Sequence, residues 1–273
     1  MYISKFLAIE IEEKQIKLAL IENYFGKIKV KFTKILDCEY ITDMNTVTNF
    51  DQVSKVIKNE MSTMKLLLNK VSYTVQNKYI INRNIEIINT NHRQDILGLI
   101  KYELIQYMPI DIEEYIIKYK VLEVFPEKIN VQVILMPKTI KNNYKELSKH
   151  LKLKPIKLGV NFNILQNLIE KDILDINNEL NIILDIKKDR SNLNIIKNKS
   201  IIRSHTINNE DIFGFISKNV SDVNNIYYYG IETKNVINIL NENYKIEKLN
   251  INNSDFQTQG DLNRFISNVG LIY

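Results

Sequence analysis

Apolar positions recur along the chain at two spacings, every second residue and every third or fourth, and these spacings lay out its elements. Residues 6–20, FLAIEIEEKQIKLAL, read as two strands joined around Glu12, Glu13, Lys14 and Gln15. Ile28, Val30 and Phe32 carry the period of two through 27–36, so three consecutive strands open the chain. After Phe50, the residues Val53, Ile57, Met61, Met64 and Leu68 form the stripe of a helix that covers a sheet. A strand follows at 71–75. Ile81, Arg83, Ile85 and Ile87 then share one face of the next strand, with Arg83 the odd member of that set.

Asn91 is placed to cap a helix whose stripe is Ile96, Leu99, Ile100, Leu104, Tyr107 and Met108, and Pro109 ends it. Strands are expected at 115–124 and 129–136. A helix over 139–151 turns Ile140, Tyr144, Leu147 and Leu151 inward. Pro155 marks a connection before a short strand at 156–160, and Phe162, Leu165, Leu168 and Ile169 have the helical spacing of a crossover into a second lobe. Strands at 180–186 and 193–196, joined through Lys187, Lys188, Asp189 and Arg190, repeat the opening hairpin in outline, as an internal duplication would. Ile212, Phe215 and Ile216 predict a short helix, 226–229 a strand and 236–240 a last helix of this half.

Composition narrows the classes of function. At 273 residues and 45% hydrophobic, the chain can fill a substantial core, so disorder is not expected. The net charge of +5 comes from lysines spread among acidic and Asn residues. The densest basic run, Lys27, Lys29 and Lys31, alternates as the outer face of a strand, which is not the stripe that nucleic acid requires. Cys38 stands alone, which excludes an intramolecular disulfide and a multi-cysteine metal site and fits a reducing cytoplasm. The first residues lack the pattern of a secretory signal, and no apolar run reaches the roughly 18 to 20 residues of a membrane-crossing helix, so membrane association is expected to come through a partner.

The residues that usually carry catalysis are scattered. His92, His150 and His205 have no metal-ligand spacing, and no zinc site is expected. Glu12 and Glu13, like Glu113 and Glu114, are adjacent and point to opposite faces of an extended chain, so neither pair makes an acid/base couple. Ser72, Ser191 and Cys38 lack a nucleophile elbow. No catalytic residue is assigned.

Several separated stretches carry a family resemblance. FLAIEIEEKQIKLAL is similar to a first phosphate hairpin, and IINRNIEI to the strand before a long helix. IKYELIQYMPIDIEEYIIKYKVLE has a helix ending in Tyr-Met-Pro-Ile and an acidic turn into a strand. VQVILMPKTIKNNYKELSKHLKLKPIKLGVNFNIL, LNIILDI and FISNVGLIY complete the order. Together they resemble the PilM family of actin-like type IV pilus assembly proteins over nearly the whole length.

That resemblance implies an α/β chain with a two-lobed actin-like, ribonuclease H-like fold of mixed sheets flanked by helices. The first lobe would span 1–155, including a family-specific strand and helix insertion, and a compact second lobe 156–273. It implies a cytoplasmic scaffold at the inner face of the cell membrane that binds the N-terminal cytoplasmic segment of a PilN-like membrane protein and links it to the pilus motor ATPase. The partner groove would lie near Arg83, Ile85, Tyr107, Met108 and Pro109. Family members also bind ATP, and here the chain departs. Glu10 stands at the place of an aspartate that organises magnesium through water. Glu12 stands at a glycine position, where it is expected to turn negative charge toward an incoming phosphate. Lys17 matches a family lysine, although a lone lysine at a strand start ordinarily reads as a solvated surface charge. Asp185 matches an aspartate and otherwise reads as a strand-end turn residue. Lys187 replaces the glycine after it, Gly230 is the one glycine left of an adenosine loop, and the segment between His205 and Asn225 is short. ATP and magnesium are accordingly not expected to be cofactors, Glu10, Lys17, Asp185 and Gly230 being vestiges of their site, and the chain is expected to be a pseudo-ATPase. Two alternatives stand beside the scaffold. One is an active actin-like ATPase. The other is an FtsA-like membrane adaptor that would use Leu262, Phe265, Ile266 and Val269 as an amphipathic anchor.

Overall fold

A computed structural model describes residues 3–12, 14–25, 27–41, 46–77, 79–89, 95–231, 234–251, 256–258 and 262–273. Glu13, Asn91 and His92 lie outside the described residues. In chain order the elements are β1 (Ile3–Glu12), β2 (Gln15–Tyr24), β3 (Lys27–Asp37), α1 (Phe50–Thr63), β4 (Lys70–Val75), β5 (Ile81–Ile88) and α2 (Ile96–Tyr107). There follow β6 (Tyr115–Val124), β7 (Lys128–Pro137), α3 (Lys138–Leu151), β8 (Lys154–Val160), α4 (Asn161–Glu170), β9 (Asn181–Ile186), β10 (Arg190–Lys197) and β11 (Ser200–Asn208). The chain closes with α5 (Ile212–Asn219), β12 (Asn225–Gly230), α6 (Lys234–Asn241), β13 (Ile246–Lys248), β14 (Phe256–Thr258) and α7 (Ile266–Gly270). They form two compact units, one of Met1–Asn77 with Asn143–Tyr273 and the other of Lys78–Asn142.

The larger unit holds two sheets with one strand plan. In the first the order is β14-β3-β2-β1-β4-β8, and in the second β11-β10-β9-β12-β13. Each begins as an antiparallel three-strand meander, β1 to β3 and β9 to β11, and each then adds parallel strands beside the meander's first strand. This is the duplication foreshadowed by the two hairpins. β2 and β9 are central in their sheets and covered on both faces, so they read as nearly continuous apolar runs instead of alternating ones. Ile182, Leu184, Ile186, Leu193, Ile195 and Ile226 of the second sheet pack with Ile212 and Ile216 of α5 and Val236 and Leu240 of α6.

Two of the longer strands differ from their sequence reading. Pro155 is not a break, because β8 starts at Lys154 and runs through it. As the outermost strand of its sheet, β8 tolerates a residue without an N–H, and its pairing with β4 shifts register between Val71 and Ser72, where Pro155 sits. β11 goes unread in the sequence because SIIRSHTIN is an outer strand with most of its side chains at least partly in solvent, which removes the alternation that marks a strand.

The smaller unit is a three-stranded antiparallel sheet, β5-β7-β6, with α2 packed on it. Its core is Ile87, Ile96, Ile100, Leu104, Ile112, Ile129, Val131, Val133 and Leu135. The stripe read for α2 holds only in part: Ile96, Ile100 and Leu104 are buried, whereas Tyr107 is 76% exposed.

Candidate functional site

Strand alternation brings five charged side chains to one buried place in the larger unit. Glu10 and Glu12 lie two apart on β1 and share a face, and Lys17 of β2 is the register partner of Glu10. Asp185 and Lys187 are likewise two apart, at the end of β9 and just beyond it. All five are at most 5% exposed. Lys187 Nζ stands 3.4 Å from Glu10 Oε1 and 3.3 Å from Asp185 Oδ2 and pairs closely with Glu12 Oε2. Lys17 Nζ pairs with Glu12 Oε1 and lies 3.8 Å from Glu10 Oε2. The cluster thus joins the first hairpin of one sheet to the first hairpin of the other.

A neutral shell surrounds Asp185. Asn192, its register partner on β10, and Asn161 of α4 donate to Oδ2 at 3.2 and 3.3 Å. The Asn161 amide also reaches the hydroxyls of Tyr229 at 3.1 Å and Ser267 at 2.7 Å, and Thr206 donates to Asn192 Oδ1 at 3.0 Å. The sequence reading missed these neutral partners. Asn, Ser and Tyr at single positions carry no spacing that announces a shared destination.

The geometry corrects three readings. Lys17 is 1% exposed and belongs to the ion cluster, because β2 is covered on both faces and its side chain can reach only inward. Glu12 does not present charge to the outside. It is 3% exposed and lies between the two ammonium groups. Asp185 is a buried member of β9, not a turn residue.

Three carboxylates face two ammonium groups, so one negative charge is in surplus. Burial raises the Glu10 carboxyl, but the charges of Lys17 and Lys187 outweigh it and hold Glu10 below its ordinary value. Burial lowers the Lys187 ammonium, with Glu10 opposing. Asp185 is pushed up to about 7, by burial first, with Lys17 opposing and Glu10 adding to the rise. The surplus charge is therefore discharged at Asp185. Since its folded value lies above the ordinary 3.8, the folded chain keeps a proton there that the unfolded chain has released. That contribution to stability is complete in acid and is lost as pH rises through about 7. Glu10 acts with the opposite sign, its contribution being lost as pH falls below the ordinary 4.5. Asp185→Asn keeps the shape and removes the proton. Relative to this variant, the natural chain is expected to lose roughly 1 kcal/mol per pH unit between about pH 5 and 7, read from urea midpoints. Parallel profiles would refute the assignment.

The residues present do not fit a nucleotide with its magnesium ion. A phosphate cradle is built from small residues whose backbone N–H groups approach the anion. Here the Glu12 and Lys187 side chains fill the facing hairpin ends. Gly230 has another reason to be glycine. Its φ is 99°, and a Cβ there would stand 2.3 Å from the carbonyl oxygen of Ile186, its register partner on β9. Around the hairpin turns, a cavity of about 540 Å³ is lined by Lys14, Gln15, Asp37, Cys38, Glu39, Lys188, Asp189 and Arg190. Three basic and three acidic side chains line it, so its charge does not select an anion.

In the smaller unit, the residues read as a partner surface divide. Ile85 and Met108 are partly buried against its core, whereas Arg83, Tyr107 and Pro109 are exposed. Leu97, Tyr102 and Ile105 of α2 are exposed as well, at 40%, 64% and 60%, so the helix leaves an apolar and aromatic face uncovered within its own unit. The terminal stripe behaves differently. Phe265, Ile266 and Val269 are buried, and α7 packs on α4 and on β1 and β2, so these residues are core and not an exposed anchor. No helix among the described residues is long and apolar enough to cross a membrane.

Solved structures match this arrangement end to end. A chain of the PilM–PilN type IV pilus biogenesis complex superposes with a TM-score of 0.74 at 13% identity, over 98% of this chain and 97% of that one. A Bacteroides thetaiotaomicron protein described as having an actin-like ATPase fold matches with a TM-score of 0.52 at 12% identity, over 89% of this chain and 90% of that one. The fold is actin-like. The cytoplasmic domain of EpsL, an inner-membrane component of the type II secretion system of Vibrio cholerae, superposes with a TM-score of 0.56 at 9% identity, over 99% of this chain and 96% of that one. No protein-family model and no curated protein matches the sequence. The actin-like fold accounts for the paired sheets, and the ion cluster lies where their first hairpins meet.

Proposed function

We propose that the chain is a cytoplasmic scaffold of a type IV pilus or related secretion assembly platform, held near the inner membrane by binding the N-terminal segment of a PilN-like membrane protein. The observation that supports this most is the end-to-end likeness to a chain of the PilM–PilN complex, joined by the likeness to EpsL of a secretion system. The reading includes no ATP hydrolysis, because buried side chains take up the space of a phosphate cradle. It places the partner on the smaller unit, where Tyr107 offers an exposed ring at the end of α2 and Arg83 an exposed cation on β5. An extended segment would gain main-chain hydrogen bonds along a strand edge and read its side chains against the α2 face. A link to the pilus motor ATPase belongs to the same reading.

Calorimetric titration with N-terminal peptides of pilus membrane proteins tests it. Binding is expected to be unchanged by Mg-ATP, and Tyr107→Ala is expected to weaken it about tenfold, as truncation of an aromatic anchor does. Because Tyr107 is exposed, the same variant should unfold within about 0.5 kcal/mol of the natural chain. No binding to any such peptide would remove the reading. Micromolar Mg-ATP binding abolished by an Asp185 substitution would favour an active actin-like ATPase instead.

A further inference from the structure

The centre of the ion cluster is a lysine nitrogen. Glu10, Glu12 and Asp185 each offer an oxygen, and the three oxygens lie within 4.8 Å of one another, a grouping able to hold a metal ion. Yet Lys187 Nζ is within ion-pair reach of all three carboxylates, and Lys17 Nζ covers two of them from the β2 side. We propose that Lys187 is a tethered cation that replaces a divalent ion among Glu10, Glu12 and Asp185, with Lys17 as its auxiliary, so that the joint between the two hairpins closes without any ligand.

Charge and reach carry the inference. Three carboxylates sharing a buried site repel one another and need cations among them. A diffusible ion would have to be bound afresh whenever the joint opened, whereas an ammonium group on the chain is always present at the same place. The side chains come from both hairpins, Glu10, Glu12 and Lys17 from the first and Asp185 and Lys187 from the second, so the tethered cation couples the two sheets. One consequence is specific. Without Lys187, three carboxyl groups face only Lys17, and a divalent ion with oxygen preference that displaces the Asp185 proton would meet three carboxylates whose charge Lys17 leaves two short of balance.

Lys187→Ala, which also opens room at the centre, tests this in thermal unfolding with EDTA, magnesium or manganese. In EDTA the variant should melt about 6–15 °C below the natural chain, since it breaks a buried charge group in a chain of this size. Millimolar manganese should recover several degrees of that loss, while the natural chain stays within about 1 °C of its EDTA value. Glu12→Gln added to Lys187→Ala removes one of the three carboxylates and should abolish the recovery. If Lys187→Ala does not fold in EDTA, refolding yield is read by circular dichroism with and without manganese. Recovery with the ion supports the tethered cation, and no recovery overturns it. Stabilisation of the natural chain by manganese would overturn it too, because the place would then be open. The partner reading does not enter this test, and nucleotide bound elsewhere on the natural chain would sink the pseudo-ATPase reading while leaving the lysine's role intact.

Discussion

Glu12→Ala is expected to lower the free energy of unfolding by about 3–5 kcal/mol, among the larger effects a single substitution has on a folded chain. Glu12 is the carboxylate that both buried ammonium groups approach most closely. Its removal leaves Lys17 with Glu10 at 3.8 Å as its nearest carboxylate, in a place shut off from solvent. The magnitude comes from desolvation, not from the attraction itself. A buried pair contributes little over a well-packed apolar substitute, but removing its nearest carboxylate leaves charges that have lost their hydration with only more distant partners in return. Glu22 provides the control. It pairs with Lys5 at 3.1 Å and Lys31 at 3.8 Å, yet all three side chains are in partial contact with solvent, and Glu22→Ala should cost no more than about 1 kcal/mol. Denaturant midpoints for the two variants measure the difference. Equal shifts would mean that the Glu12 network contributes no more than a surface pair.

Gly230→Ala is expected to cost about 2–6 kcal/mol, from two causes that add. At φ 99° a side chain strains the backbone, and the new methyl would stand 2.3 Å from the Ile186 carbonyl oxygen. That oxygen cannot move aside freely, because it accepts a hydrogen bond from the Ile231 amide at 2.7 Å. Gly214→Ala makes the opposite case in the same unit. Gly214 lies inside α5 with nothing within 4 Å of the added methyl, and alanine there should stabilise by about 0.5–1 kcal/mol through the unfolded chain. Thermal melts of the two variants should therefore move in opposite directions. A Gly230→Ala melt unchanged from the natural chain would leave the glycine without its packing role.

Much of the fold is legible in the residue pattern because most of the elements are either strongly periodic or uniformly apolar. The apolar residues of the hairpin from Phe6 to Leu20, the α3 stripe of Tyr144, Leu147 and Leu151, and the β9 run of Ile182, Ile183 and Leu184 could be assigned by period or by unbroken apolar character, and all are buried. β11 could not be, since an outer strand shows no inner face to its sequence. The three-residue strands β13 and β14 are too short to have a period. The site was legible as a set of departures. Glu10, Glu12, Lys17, Asp185 and Lys187 stand out as charges in apolar strands, and their spacing of two on each hairpin carries them to one face. What the pattern did not reveal was that the charges answer one another. Glu12 and Lys187 are 175 positions apart, and only the meeting of the two hairpins makes them a pair. The surface of the smaller unit was half legible, because the α2 stripe looks the same whether Tyr107 completes a core or is left in solvent.

The outermost strands of the sheets differ in how they treat a stranger. The six-stranded sheet ends on one side in β14, only three residues long, and on the other in β8, where Pro155 lacks a donor and Lys154 and Lys157 flank it. Short length, proline and lysine all discourage another chain from extending a sheet. The three-stranded sheet is less guarded: β5 and β6, its two outer strands, run for eight and ten residues with no proline, although Lys118 and Lys120 stand on β6. The proposed partner segment would therefore be turned away from the six-stranded sheet by its edges and meet longer, proline-free edges on the small one, so the proposed docking place is favoured partly by what β8 and β14 refuse.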